Sequence, residues 1–90
     1  MSSIYQMITY DLCNEKTYDK IYDYIKSYKK YVHITEPTWL IATEKSSSNI
    51  CDDILKIIDD DDRIFVAKLE GEKSWRNTIA ESKDIKEFKD

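Results

Sequence analysis

The sequence predicts an α+β fold: a four-stranded antiparallel sheet with two helices packed on one of its faces. Three observations carry that reading. Strand-like and helix-like apolar patterns follow one another as strand, helix, strand, strand, helix, strand. The chain has 90 residues, a length for one domain and not for two. It holds a single Gly and a single Pro, too few for a many-turned all-β design, while 41% hydrophobic residues supply a core and exclude a disordered chain.

Ile4 to Tyr10, ending at Asp11-Leu12, is β-branched, aromatic and apolar on both parities, as in a central strand. A polar turn, Cys13 to Lys16, ends it. Thr17 offers a hydroxyl as N-cap for the next element. From there Tyr18, Ile21, Ile25 and Tyr28 recur at helical spacing, with Asp19, Lys20, Asp23 and Lys26 opposite. Lys26, Lys29 and Lys30 crowd the end of this helix, where cations meet its dipole favourably.

Tyr31 to Ile34 reads as a short strand and Thr35 to Thr38 as a turn, because Pro37 fixes its own φ and keeps Glu36 out of the helical region. Trp39 to Thr43 returns as a second central strand, making a hairpin. Ser46 is the expected N-cap of a second amphipathic helix carrying Ile50, Ile54, Leu55 and Ile58 on its apolar side. Four acids, Asp59 to Asp62, oppose a helix C-terminal dipole and so predict a turn. Arg63 to Leu69 is the last strand, closed by Gly71. Residues 1–76 thus form one domain, and 77–90 a charged tail in which Ile85 and Phe88 give the stripe of a short helix.

This order is that of a ferredoxin-like βαββαβ sandwich. Right-handed crossovers put both helices on the same face of the sheet. The opposite face is then bare, yet both parities of the first and third strands carry large apolar side chains. Covering ~500 Å² of such surface is worth on the order of 10 kcal/mol before association costs. The expectation is a homodimer through Met7, Thr9, Trp39 and Ile41, with the segment around Trp75 crossing onto the partner. The competing expectation is that the tail folds back over its own sheet.

The formal net charge is -4, which gives no general attraction to nucleic acid. Lys26, Lys29, Lys30 and Tyr31 form the one basic-aromatic cluster suited to phosphates and stacked bases, and they read equally as a solvated helix end. Asp11, closing a buried strand, is the candidate catalytic and metal-ligating residue. Mg²⁺ accepts one or two carboxylates plus water and phosphate oxygens, and two copies of Asp11 across a dimer axis could position water on a phosphodiester. An aspartate there also reads as a loop cap. Cys13 and Cys51 lack zinc or redox spacing and read as reduced thiols of a cytoplasmic protein. No apolar stretch approaches the roughly 20 residues of a membrane span, and no secretory leader is expected.

Ile8 to Leu12, Glu36 to Ile41, and Asp62 to Glu72 with Trp75 resemble the small SinR-type proteins, relatives of the CRISPR-associated Cas-two family and, more distantly, of VapD-type ribonucleases. The resemblance spans roughly residues 4–76 and lies in the order and spacing of short motifs. It implies a ferredoxin-like homodimer in which Asp11 sits near the two-fold axis as a metal ligand. The function it implies is a nucleic-acid-associated protein, with RNA or DNA as partner and Mg²⁺-dependent cleavage as its chemistry. The alternative is a non-catalytic dimeric module that binds a partner protein or a nucleotide, as a regulator or a mobile-element counter-defence factor.

Overall fold

The computed structural model describes residues 4–88; residues 1–3 and 89–90, the ends of the expected domain and tail, lie outside it. The elements are β1 (Ile4–Asp11), α1 (Glu15–Lys26), β2 (Lys30–Thr35), β3 (Thr38–Thr43), α2 (Ser47–Leu55), β4 (Arg63–Leu69) and α3 (Ser82–Lys86). The four strands form one antiparallel sheet in the order β2-β3-β1-β4. The expected α+β class and antiparallel sheet are therefore what the chain forms.

The two helix starts differ from each other. Ser46 caps α2 as expected, its hydroxyl accepting from the Asn49 N–H at 3.1 Å. Asn14, not Thr17, caps α1: its side chain accepts from the Lys16 N–H at 3.0 Å, and Thr17 is buried inside the first turn. Either residue type can cap, and the choice falls to the one where the chain leaves β1. The Asp run is a turn, held by the Asp62 carboxylate accepting from the N–H groups of Asp59 (2.8 Å) and Cys13 (2.7 Å).

One face of the sheet meets α1 and α2. Ile8, Tyr10, Trp39 and Ile41 from the strands interlock with Ile21, Ile25, Ile50 and Ile54 from the helices. Gln6 is buried on this face and fully used: Ser47 Oγ donates to its Oε1 at 2.7 Å and its Nε2 donates to the Lys45 carbonyl at 3.3 Å. That pair ties the start of α2 to β1. Tyr24 ties α1 to α2 by donating to Asp53 Oδ2 at 2.9 Å, where Lys45 Nζ also donates. Burial, with the hydrogen bonds to Tyr28 and Asp53, pushes the Tyr24 phenol far above its ordinary range.

The other face is covered by the chain's own C-terminal segment. Gly71, at φ 74°, turns the chain out of β4 in the left-handed region that glycine tolerates. The segment then crosses to β2, where the Ile79 N–H donates to the Ile34 carbonyl at 2.9 Å. After it, α3 lays Ile85 and Phe88 on the sheet, and Phe88 packs with Val32 and Leu40 and edge-on against Tyr5. The tail thus packs on its own sheet, which corrects the expectation of a segment around Trp75 crossing onto a partner. Among the described residues no helix is long and apolar enough to cross a membrane.

Candidate functional site

Three places hold the residues singled out from the sequence. The first is the end of β1. Asp11 pairs across the ladder with Arg63, and their side chains form an ion pair at 3.6 Å, 74% and 83% exposed. Such an exposed pair contributes little to stability. Next to it, Cys13 points its thiol at the Asp61 carbonyl, 3.6 Å away. Desolvation against the turn, with the carboxylates of Asp62, Asp61 and Asp11 around it, raises the Cys13 thiol and makes it a poor nucleophile. The two N–H bonds it accepts hold the Asp62 carboxyl below its usual range. Among the described residues no three His, Cys, Asp or Glu side chains come together to hold a metal ion. In one copy of the chain Asp11 offers a single carboxylate, and its nearest charged partner is a cation.

The second place is an aromatic strip along α1 and the β2 side of the sheet. His33 lies flat on Trp39, with centroids 4.0 Å apart and planes at 7°. Tyr22 meets both rings, at 6.0 and 5.5 Å, and Tyr18 continues the line along α1. Tyr31, 42% exposed, closes the strip at 6.1 Å from Trp39. Trp39 itself is buried, and its Nε1–H donates to the Tyr10 hydroxyl at 2.9 Å. Burial pushes the Tyr10 phenol far above its ordinary range, although the Trp39 hydrogen bond acts the other way. Lys26 stands one turn beyond Tyr22 at the end of α1, and Lys29 in the turn that follows, both exposed.

The expected basic cluster is only partly assembled there. Lys30 and Tyr31 are neighbours in a strand and so point to opposite faces. Lys30 reaches the tail instead: its Nζ donates to the Glu87 carbonyl at 2.6 Å and lies 4.8 Å from the Phe88 ring centroid. It is a clamp on the C-terminal segment and does not belong with Lys26 and Lys29.

The third place is the strapped sheet face. The register pairs Met7 with Leu40 and Ile8 with Trp39. Met7 and Thr9 therefore face the tail side, while Trp39 and Ile41 are under the helices, 4% and 0% exposed. Those two cannot serve an interface on the other face, which corrects half of the expected set. Trp75 lies over its own sheet, donating from Nε1 to Ser82 Oγ at 3.1 Å. With Met7, Leu40, Leu69 and Ile85 it lines a shallow apolar cleft of about 280 Å³.

Compared with family models, with curated proteins and with solved structures, the chain finds no match in any of the three.

Two roles escaped the sequence. Lys30 as a tail clamp has no local signal, because its partner is 57 residues away. The buried Gln6 did have one: it shares the parity of Ile8 and Tyr10, and a polar group on a core parity demands a partner.

Proposed function

We propose that this protein is a non-catalytic binding module with ferredoxin-like topology, and that its ligand is a single-stranded nucleic acid lying along the α1–β2 side. The strand order and the antiparallel pairings support the ferredoxin-like reading. One observation carries the functional reading: an exposed Tyr31 ring set against the buried Trp39, which itself stacks on His33, with the exposed Lys26 and Lys29 on the stretch of chain that leads from α1 into β2. A ring braced from behind is a stacking platform for a base, and base–aromatic stacking is worth about 1–3 kcal/mol per base. The lysines supply phosphate contacts, which the net charge of -4 keeps few and salt-sensitive. The resemblance to the Cas-two superfamily points to the same ligand class and to a homodimer. The test is fluorescence anisotropy of labelled single-stranded RNA and DNA at low salt. Tyr31→Ala should weaken binding by about tenfold or more, and Lys26→Ala with Lys29→Ala should flatten the salt dependence. Absence of wild-type binding to either strand type ends the proposal.

A second reading is Mg²⁺-dependent cleavage through Asp11. It is favoured by the open position of that carboxylate, which solvent, ion and phosphate can all reach. Among the described residues no cluster of three metal-ligating side chains forms around Asp11, so this chemistry needs a second copy to bring its own Asp11 alongside. Cleavage of RNA or DNA that requires Mg²⁺ and disappears in Asp11→Ala would establish it. Equal activity in that variant removes it.

A further inference from the structure

The C-terminal segment covers only part of its sheet face, packing on Tyr5, Met7, Val32, Leu40 and Leu69. The same face continues past Met7 to the Asp11 end of β1, where the cross-strand pairs are Thr9 with Phe65 and Asp11 with Arg63. Phe65 is 58% exposed, among the most exposed of the large apolar side chains. Successive pairs on one face of a sheet lie about 7 Å apart, so the Asp11–Arg63 ion pair stands one pleat from the Phe65 ring. A hollow of about 200 Å³ opens here, lined by Thr9, Tyr10, Asp11, Arg63, Ile64 and Phe65.

A flat ring open to solvent beside a hydrogen-bonding edge suits a nucleobase: the ring takes the face of the base and the polar groups read its edge. The order of the polar groups says which base. At 3.6 Å the ion pair is longer than a hydrogen bond, so it leaves the Arg63 N–H groups and the Asp11 oxygens open to a ligand. Side by side they present one donor and two acceptors. The Watson–Crick edge of guanine is the complement: the O6 acceptor, then the N1–H and N2–H donors. Cytosine and uracil each match two of the three positions and meet a like group at the third. Adenine sets its N6 donor against the guanidinium and its N1 acceptor against the carboxylate. The ion pair is neutral as a whole and the chain carries -4, so phosphate adds no attraction here and recognition falls to the base.

We propose that this uncovered end of the sheet binds a guanine base, stacked on Phe65 with its Watson–Crick edge on Asp11 and Arg63. The base belongs either to a free nucleotide or to a strand, and two arms of one experiment separate these sources. The site does not share the Tyr31 surface, which lies on the helix side of β2. One stack and one edge contact together reach about millimolar affinity. Guanosine 5′-monophosphate, titrated to about 10 mM into isotope-labelled protein, should therefore shift the backbone amides of residues 9–11 and 63–65. Inosine 5′-monophosphate lacks the N2 donor and should bind about threefold or more weakly, and adenosine 5′-monophosphate more weakly still. In the second arm, an oligouridine strand carrying one guanine is compared at the same amides with the all-uridine strand.

Phe65→Ala should lower affinity for the guanine and inosine nucleotides alike, by about tenfold. Asp11→Asn puts a donor where guanine needs an acceptor and should abolish the preference for guanine. Both side chains are exposed, so circular dichroism should show the fold intact. A chelator should change nothing, which separates this role of Asp11 from Mg²⁺ chemistry. A guanine preference in either arm upholds the proposal and names the source. Absence of that preference in both arms, or its survival in Asp11→Asn, overturns it. Tyr31→Ala should leave the mononucleotide shifts as in the wild type. Strand binding along the α1–β2 side without a guanine preference removes this proposal and leaves the earlier reading standing.

Discussion

The two faces of the sheet solve the same problem with unequal means. Toward α1 and α2, side chains from five elements close on one another, and Ile8, Ile21, Ile25, Ile41, Ile50 and Ile54 are fully buried. Hydrogen bonds from Gln6 and Tyr24 then fix the helices to the sheet and to each other. Toward the C-terminal segment only Val32, Leu40, Phe88 and Ile85 are buried, under a five-residue helix with no side-chain cap at its start. The first face is a core, and the second is a lid on a sheet that would otherwise be bare. A lid held by few contacts opens with less free energy than the domain needs to unfold.

The largest expected effect tests the first face. Ile41→Ala should lower global stability by about 3–4 kcal/mol, measured by urea denaturation, because the surrounding rings and helices cannot collapse into the space. An effect below about 1 kcal/mol would mean that the two faces are equally loose. Phe88→Ala tests the second face. Although Phe88 is as deeply buried, the loss should be about 1–2 kcal/mol, with faster amide exchange confined to residues 72–88 and β2, since the lid can yield alone. A global loss as large as that of Ile41→Ala would make the tail part of one cooperative core.

The smallest effect concerns the turn outside both faces. The Asp62 carboxyl titrates below its ordinary 3.8 because the charged form accepts two N–H bonds. Its contribution to stability is therefore complete above pH ~4 and fades as pH falls through the lowered folded value. Asp62→Asn should remove this fading, so the variant and wild type should converge in acid and differ at neutral pH, followed by circular dichroism. A constant difference across that range would assign the turn's stability to something other than the charge.

Much of this was legible in the sequence. Element order, the Ser46 cap and the Asp turn followed from local chemistry. The identity of each strand's buried parity did not. Trp39-Leu40-Ile41 is apolar on both parities, so either face could claim either set, and only the cross-strand register, Met7 with Leu40, decides. For the same reason the bare face was foreseen, but its cover by the chain's own tail only as the second of two expectations. The tail carries one apolar pair, Ile85 and Phe88, in a charged stretch, and what makes that pair bury is a sheet assembled from residues far earlier in the chain. At the candidate sites, the sequence grouped Lys26, Lys29, Lys30 and Tyr31 but could not say that Lys30 would turn to the tail. Asp11 was located correctly as a strand end; its counter-ion, Arg63, is a matter of β1–β4 register.

The chain contains two indoles, and the fold divides them between the two faces. Trp39 is sealed beneath the helices, whereas Trp75 lies half-buried over the strapped sheet and holds the Ser82 hydroxyl. Their emission should therefore separate, blue from the sealed ring and red from the other, so that peeling of the lid shifts one component while the second stays dark to the event.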